Sequence, residues 1–423
     1  MRFHLTVLTL LTSACVVTGS GPTPGTDSGT GSGTGGGSSS GGGPDLPAGC
    51  ATDDQPPIEL GSSKFTEDLT LVDAPERPVD YLVTDVANVK GTLTIEPGVV
   101  IEFAPGAGLY IRGDGSVHSL GGREECERVV LRPQSGDPGD WRGVILQSTV
   151  PNELRNTDLI GGGSEAFNSN GDLGSVILWA GATLTLENVR ISDSAAHGLN
   201  VTGTDSVLEI EGENVFTGHA LAPMRLSPNQ ASAVQGGDMH TGNGLDAIVV
   251  YEGRVEGAHT WAALDVPYQI STKNGGPGVV TVSQESDLVV EAGAELTFEA
   301  GMGLKCEGNT TLAGAADDPV RLRGVEPGAG TWRGVYFEDT TNTPWTLTFD
   351  VKYAQIDGAG GSAFNSNGDL GGVIVWADTQ ASVTNTAFSN LGTDCAINAP
   401  YNGDKIDVSG STTDSSSILC DGP

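Results

Sequence analysis

The chain has 423 residues, 63 of them Gly, with aromatics at 5 %, and 54 Asp and Glu against 20 Lys and Arg for a formal net charge of −34. Gly, Thr, Ser, Val and Asn stand where a helical protein carries Ala, Leu, Lys and Arg, so the composition argues for turns and strands. The charge repels phosphate backbones and anionic lipid, which excludes nucleic acid as a partner and any polybasic contact with a membrane surface.

Residues 1–15 have the layout of an export signal: Arg2 and His4, an apolar run from Leu5 to Leu11, then Thr12-Ser13-Ala14-Cys15. Cys15 directly after Ser-Ala resembles a bacterial lipobox, which implies lipid attachment at Cys15, although Thr12 stands where Leu is preferred. An ordinary secretory signal cut near Ala14 is the alternative. No stretch approaches 18 apolar residues, so the expected membrane contact is through a lipid anchor alone. The expected address is the outer membrane or cell surface, or secretion if the signal is simply cut. Residues 16–50 are nearly all Gly, Ser, Thr and Pro and read as a flexible tether with a mean reach on the order of 30 Å.

Five cysteines follow: Cys50, Cys126, Cys306, Cys395 and Cys420. Export permits disulfides, and Cys395 with Cys420, which close a short loop, form the leading candidate pair. No Cys-x-x-Cys or His partner at zinc spacing is present.

Residues 51–80 are acidic and Pro-containing and read as an N-terminal cap. From Tyr81 the pattern turns regular: Leu93, Ile95, Val99, Ile101, Phe103, Leu109, Ile111 and Val117 alternate with polar residues, interrupted at Pro97-Gly98 and Pro105-Gly106. Period-two runs of three to five residues broken by Gly and Pro are strand signals. A second unit has the same order at Leu288, Val290, Leu296, Phe298, Leu304 and Leu312. Trp141-Arg142-Gly143-Val144 matches Trp332-Arg333-Gly334-Val335. Phe167-Asn168-Ser169-Asn170-Gly171-Asp172-Leu173-Gly174 matches Phe364-Asn365-Ser366-Asn367-Gly368-Asp369-Leu370-Gly371, about 200 residues on.

A finer period of about 22 to 26 residues, as where Leu184-Thr185-Leu186 returns as Leu208-Glu209-Ile210, suits coils of three short strands. The expected fold is therefore all-β, a right-handed parallel β-helix of about thirteen coils, with unit 1 over 81–235 and connecting coils plus unit 2 over 236–423. The competing all-β reading, two β-sandwich domains, wants longer strands and more aromatics.

Thr92-Leu93-Thr94-Ile95-Glu96-Pro97-Gly98 with its following strand, the two Trp-Arg-Gly segments, and Trp261 followed by Val266-Pro267-Tyr268 together resemble the right-handed parallel β-helix repeat proteins found as exported bacterial lipoproteins. The resemblance implies export, surface display and an elongated binding or structural body, and it carries no particular activity.

Candidate sites follow from residue type. Asn168, Asn170 and Asp172, with Asn365, Asn367 and Asp369, place side-chain oxygens at alternate positions, which suits either calcium or a self-capping turn. No cofactor is expected other than calcium at these loops. Trp141, Arg142, Trp332 and Arg333 are candidate ligand-facing residues if their turns are exposed, and exposed Trp rings in line could stack on sugars. His197, in Ala196-His197-Gly198, reads as a surface turn. The carboxylate pairs Glu124-Glu125 and Asp317-Asp318 have no basic neighbour at a repeated position, so no catalytic residue is assigned. The expected function is a non-catalytic, surface-tethered protein that contacts polysaccharide or a cell-surface protein. The alternative is a polysaccharide lyase or glycoside hydrolase on the same scaffold.

Overall fold

The computed structural model describes residues 50–167, 169–273, 278–340, 347–376, 379–401 and 403–420. The export signal with Cys15, the linker up to residue 49, Asn168 and Trp345 lie outside them. The described chain is all-β, with strands of two to six residues gathered into five sheets of parallel strands. We number them I to V. Sheet I has seven strands from Ile58–Leu60 to Val215–Thr217, and sheet II thirteen from Val86–Val89 to Thr412–Thr413. Sheet III has six from Leu69–Leu71 to Val207–Glu211. Sheet IV has seven from Gly253–Val255 to Ser417–Cys420, and sheet V six from Ala258–Trp261 to Ile406–Asp407.

Alternation decides which side chains enter the core. In Thr183–Glu187, Leu184 and Leu186 are fully buried while Thr183, Thr185 and Glu187 face outward. The same rule buries Leu93, Ile95, Leu109, Ile111, Val144 and Leu146. Each stacks on its counterpart in the next strand, as Leu184 on Leu208 and Val144 on Val176. Burying one such side chain is worth roughly 1.5–3 kcal/mol, so the columns supply the main favourable term. The segment expected as a cap already contributes strands, since Ile58–Leu60 pairs with Tyr81–Val83. Phe65, in a 3-10 turn, is buried against the column ends. Cys50 is bonded to Cys126 and Cys395 to Cys420, while Cys306 is a buried free thiol.

The chain visits the sheets in a fixed order that changes once. Val129–Pro133 lies in sheet I, Val144–Ser148 in II and Pro151–Arg155 in III, and Thr157–Ile160 then returns to I beside Val129–Pro133. Later, Val320–Gly324 lies in sheet II, Val335–Glu338 in IV and Phe349–Lys352 in V, and Ala354–Asp357 returns to II beside Val320–Gly324. The strand after Trp141-Arg142-Gly143 is thus in sheet II, whereas the strand after Trp332-Arg333-Gly334 is in sheet IV. Segments that match in sequence are displaced by one sheet around the stack, and only sheet II runs through both halves. The seam is residues 227–247, where Gln230–Ala233 forms a 3-10 turn in place of a strand of sheet III.

Candidate functional site

The doubled segment is a strap over the outside of a sheet. Phe167 lies 5.9 Å from the Tyr110 ring, with the Arg142 guanidinium 5.8 Å from its centroid. Its ring presses on Gly108, where a Cβ would come within 2.8 Å of Phe167 Cζ. At the other end Asn200 Nδ2 donates to Leu173 O at 3.0 Å. On the same sheet Ile145 and Ile177 point outward from sheet II yet are buried. The second copy repeats the device on sheet IV. Phe364 stacks on Tyr336 at 5.2 Å under Arg333, a Cβ on Gly303 would come within 2.6 Å of Phe364 Cζ, and Asn398 Nδ2 donates to Leu370 O at 3.0 Å. Ile374 is buried beneath it, and burial also pushes the Tyr336 hydroxyl well above its ordinary pKa.

In that second strap Asn365 Nδ2 donates to Asp369 Oδ2 at 2.7 Å, which closes the turn on itself. Among the described residues no three His, Cys, Asp or Glu side chains gather at metal-binding spacing. Asn170 and Asp172 lie in the first strap and Asn367 in the second.

The expectation that Trp141 and Trp332 face a ligand is corrected. Both indoles are fully buried, stacked on Phe103 at 4.2 Å and Phe298 at 4.1 Å. Their Nε1 groups donate to Ile160 O at 2.8 Å and Asp357 O at 2.7 Å. Inside the coil each finds an apolar face and a carbonyl, which satisfies the whole ring. Arg142 and Arg333, beside them, are only partly buried. Arg142 donates to Gly106 O, Ala166 O and Glu165, so it fastens the strap. Arg333 is partly buried against Phe364, and desolvation lowers its pKa.

His197 is not a surface turn either. It is partly buried with Nδ1 enclosed, and burial together with the Arg225 charge lowers its pKa to about 4. Two further histidines gather near the seam. His219 is buried, its Nδ1 accepts from Ser194 N–H at 3.2 Å, and burial and His197 lower its pKa to about 4. Gly198 makes room for it, since a Cβ there would sit 2.4 Å from His219 Nε2. His240 stacks on Phe216 at 5.8 Å and pairs through Nδ1 with Asp265 at 2.7 Å. Sequence reasoning passed over His219 and His240. Their signal was the interval of roughly one coil separating His197, His219 and His240.

Charged residues elsewhere form ladders between coils. Arg128 bonds Asp158 at 2.8 Å and Arg190 bonds Glu125 at 3.0 Å. Lys305 lies 2.6 Å from Glu307 and 2.9 Å from Glu338, with Arg254 3.0 Å from Glu307. The seam adds an open trough of about 420 Å³ alongside Val207–Glu211, the last strand of sheet III, with Gln230, Ser232 and His259 on its other side. No family model matches the chain, and neither the curated proteins nor the solved structures compared with it give a match.

Proposed function

We propose that the protein is a non-catalytic binding or structural body, exported and held at a surface by its Gly/Ser-rich tether, and lipid-anchored at Cys15. In this reading the body is a right-handed β-helix of about thirteen coils with two internal repeats, and its outer faces contact glycans or partner proteins. The observation that carries the reading is the use made of the recurring residues. Trp141, Trp332, Arg142, Arg333, Phe167 and Phe364 are spent on core stacking and on fastening straps, so the recurring chemistry builds scaffold. Carboxylates beside Arg and Lys form intercoil ion pairs, whereas glycoside hydrolysis needs two of them converging across one cleft.

The test is a screen of the full chain against acidic and neutral polysaccharides, with and without calcium, recording bound polymer and released reducing or unsaturated ends. Binding without product is the expected result. Product release overturns the reading, and a requirement for calcium would direct mutation to Asn365, Asn367 and Asp369.

A further inference from the structure

Sheet III stops at Val207–Glu211, and the trough runs between that strand and the 3-10 turn Gln230–Ala233, which packs beside it without pairing to it as a strand. We propose that the trough binds an extended, basic peptide segment of a partner protein, which adds to sheet III as its missing strand. The inference rests on the binding reading above and names the kind of partner.

The backbone supplies the first argument. In a parallel pair the ladder groups of alternate residues face opposite edges. Val207 N–H donates to Ala182 O at 2.9 Å, and Glu211 O accepts from Asn188 N–H at 3.3 Å. Residues 207, 209 and 211 are therefore committed to the Thr183–Glu187 strand, and the N–H and C=O groups of Leu208 and Ile210 face the trough. One end of the edge is closed by a side chain, since Gln230 Nε2 donates to Ser206 O at 2.7 Å. Leu208 and Ile210 beyond it present two donors and two acceptors, the set that strand addition uses.

Solvent reaches this edge. Leu208 is 8 % and Ile210 4 % exposed, whereas Leu184 and Leu186, one strand further in, are at 0 %. A five-residue strand is about 17 Å long, matching the length of Val207–Glu211, and the trough volume of about 420 Å³ is of the order of a short peptide backbone with its small side chains.

Charge selects the occupant. Glu209 and Glu211 project outward from the edge strand, and none of the residues lining the trough is Lys or Arg. Opposite-charge pairs directly across neighbouring strands are stabilising and like charges are not. A segment with Lys or Arg at alternate positions sets its cations beside Glu209 and Glu211, on a protein whose net charge of −34 draws cations toward it.

The test uses the full chain and fluorescein-labelled heptapeptides read by anisotropy: an alternating Lys-Val peptide, its Glu-Val counterpart, and the Lys-Val peptide N-methylated on the backbone edge that would face the trough. The expected result is binding of the Lys-Val peptide, weakened at least tenfold by N-methylation and by the Glu exchange, with slowed amide exchange at Leu208 and Ile210. The double substitution Glu209→Lys, Glu211→Lys should invert the preference between the two unmethylated peptides, with an unchanged circular dichroism spectrum as the control for folding. Equal binding of the methylated peptide, indifference to the double substitution, or no binding at millimolar peptide overturns the proposal. Concentration-dependent mass abolished by the double substitution also overturns it, by assigning the edge to a second copy of the chain. Polymer bound elsewhere with no peptide bound would sink this inference alone, whereas product released from polysaccharide would sink the non-catalytic reading alone.

Discussion

Trp332 stacks 4.1 Å from Phe298 and donates to Asp357 O, so truncation opens a cavity and strands a buried carbonyl. Trp332→Ala should cost roughly 3–5 kcal/mol, seen as a lower urea midpoint at unchanged slope. His219 gives a pH effect of determinate sign. Its folded pKa of about 4 lies below the ordinary value of 6.5, so as pH falls the unfolded chain takes the proton first. Stability is therefore lost between about pH 6.5 and 4, by up to about 3 kcal/mol. His197 acts in the same direction. Asp238 opposes it, because burial raises its folded pKa and protonation then favours the fold. His219→Asn isolates the effect. Asn243 already accepts from His219 N–H one coil on, as His219 accepts from Ser194, so the substitution keeps the acceptor and removes the titration. The stability difference between parent and variant should change across that pH window in urea titrations; a constant difference refutes the assignment.

At the scale of the element, a residue in the left-handed region turns the chain at its tightest corners. Asn188 at φ 51° links Thr183–Glu187 to Arg190–Ser192, and Asn385 at φ 51° links Ala381–Thr384 to Ala387–Ser389. The left-handed region costs an ordinary L-residue about 1–2 kcal/mol, and Asn188 Oδ1 also accepts from Glu213 N–H at 3.1 Å. Thermal midpoints should rank Asn188 above Asn188→Gly, and that above Asn188→Ala. Tyr353 occupies the same kind of corner at φ 48°, so Tyr353→Asn should raise the midpoint. The straps depend on a gap of a different kind. Gly303 has no positive φ, and its requirement comes from Phe364 lying where a Cβ would stand. Gly303→Val should lift the strap and expose Ile374, measurable as faster local proteolysis with the sheets intact.

At the scale of the whole molecule, the charge of −34 works against compactness by self-repulsion. Raising salt from about 10 mM to about 500 mM shortens the screening length several-fold and should raise the thermal midpoint, although it weakens exposed pairs such as Arg190 with Glu125. Stacked units are stabilised by their nearest neighbours, and at residues 227–247 sheets I and III end before IV and V begin, leaving sheet II as the continuous connection. Amide exchange should be fastest through that seam. Fastest exchange in the middle of either half would contradict the view of the seam as the weakest interface.

The all-β class and the strand segments follow from residue order alone, because period-two alternation with Gly, Pro and Asn at the breaks states which side chains can be buried together. Leu93 with Ile95 and Leu109 with Ile111 are legible in that way without any tertiary information. The tertiary structure alone decided what each bulky or polar residue at a turn does. Trp141 reads the same whether its turn folds inward or outward, and only the presence of Phe103 and the Ile160 carbonyl put it inside. The displacement of the second half by one sheet was equally invisible, since every sheet here demands the same alternation and nothing local says which neighbour a strand will join. The His219 environment and the trough beside Val207–Glu211 arise from residues one coil apart in the stack. The trough exists because a strand is missing there, which is a relation between coils and not a property of any segment.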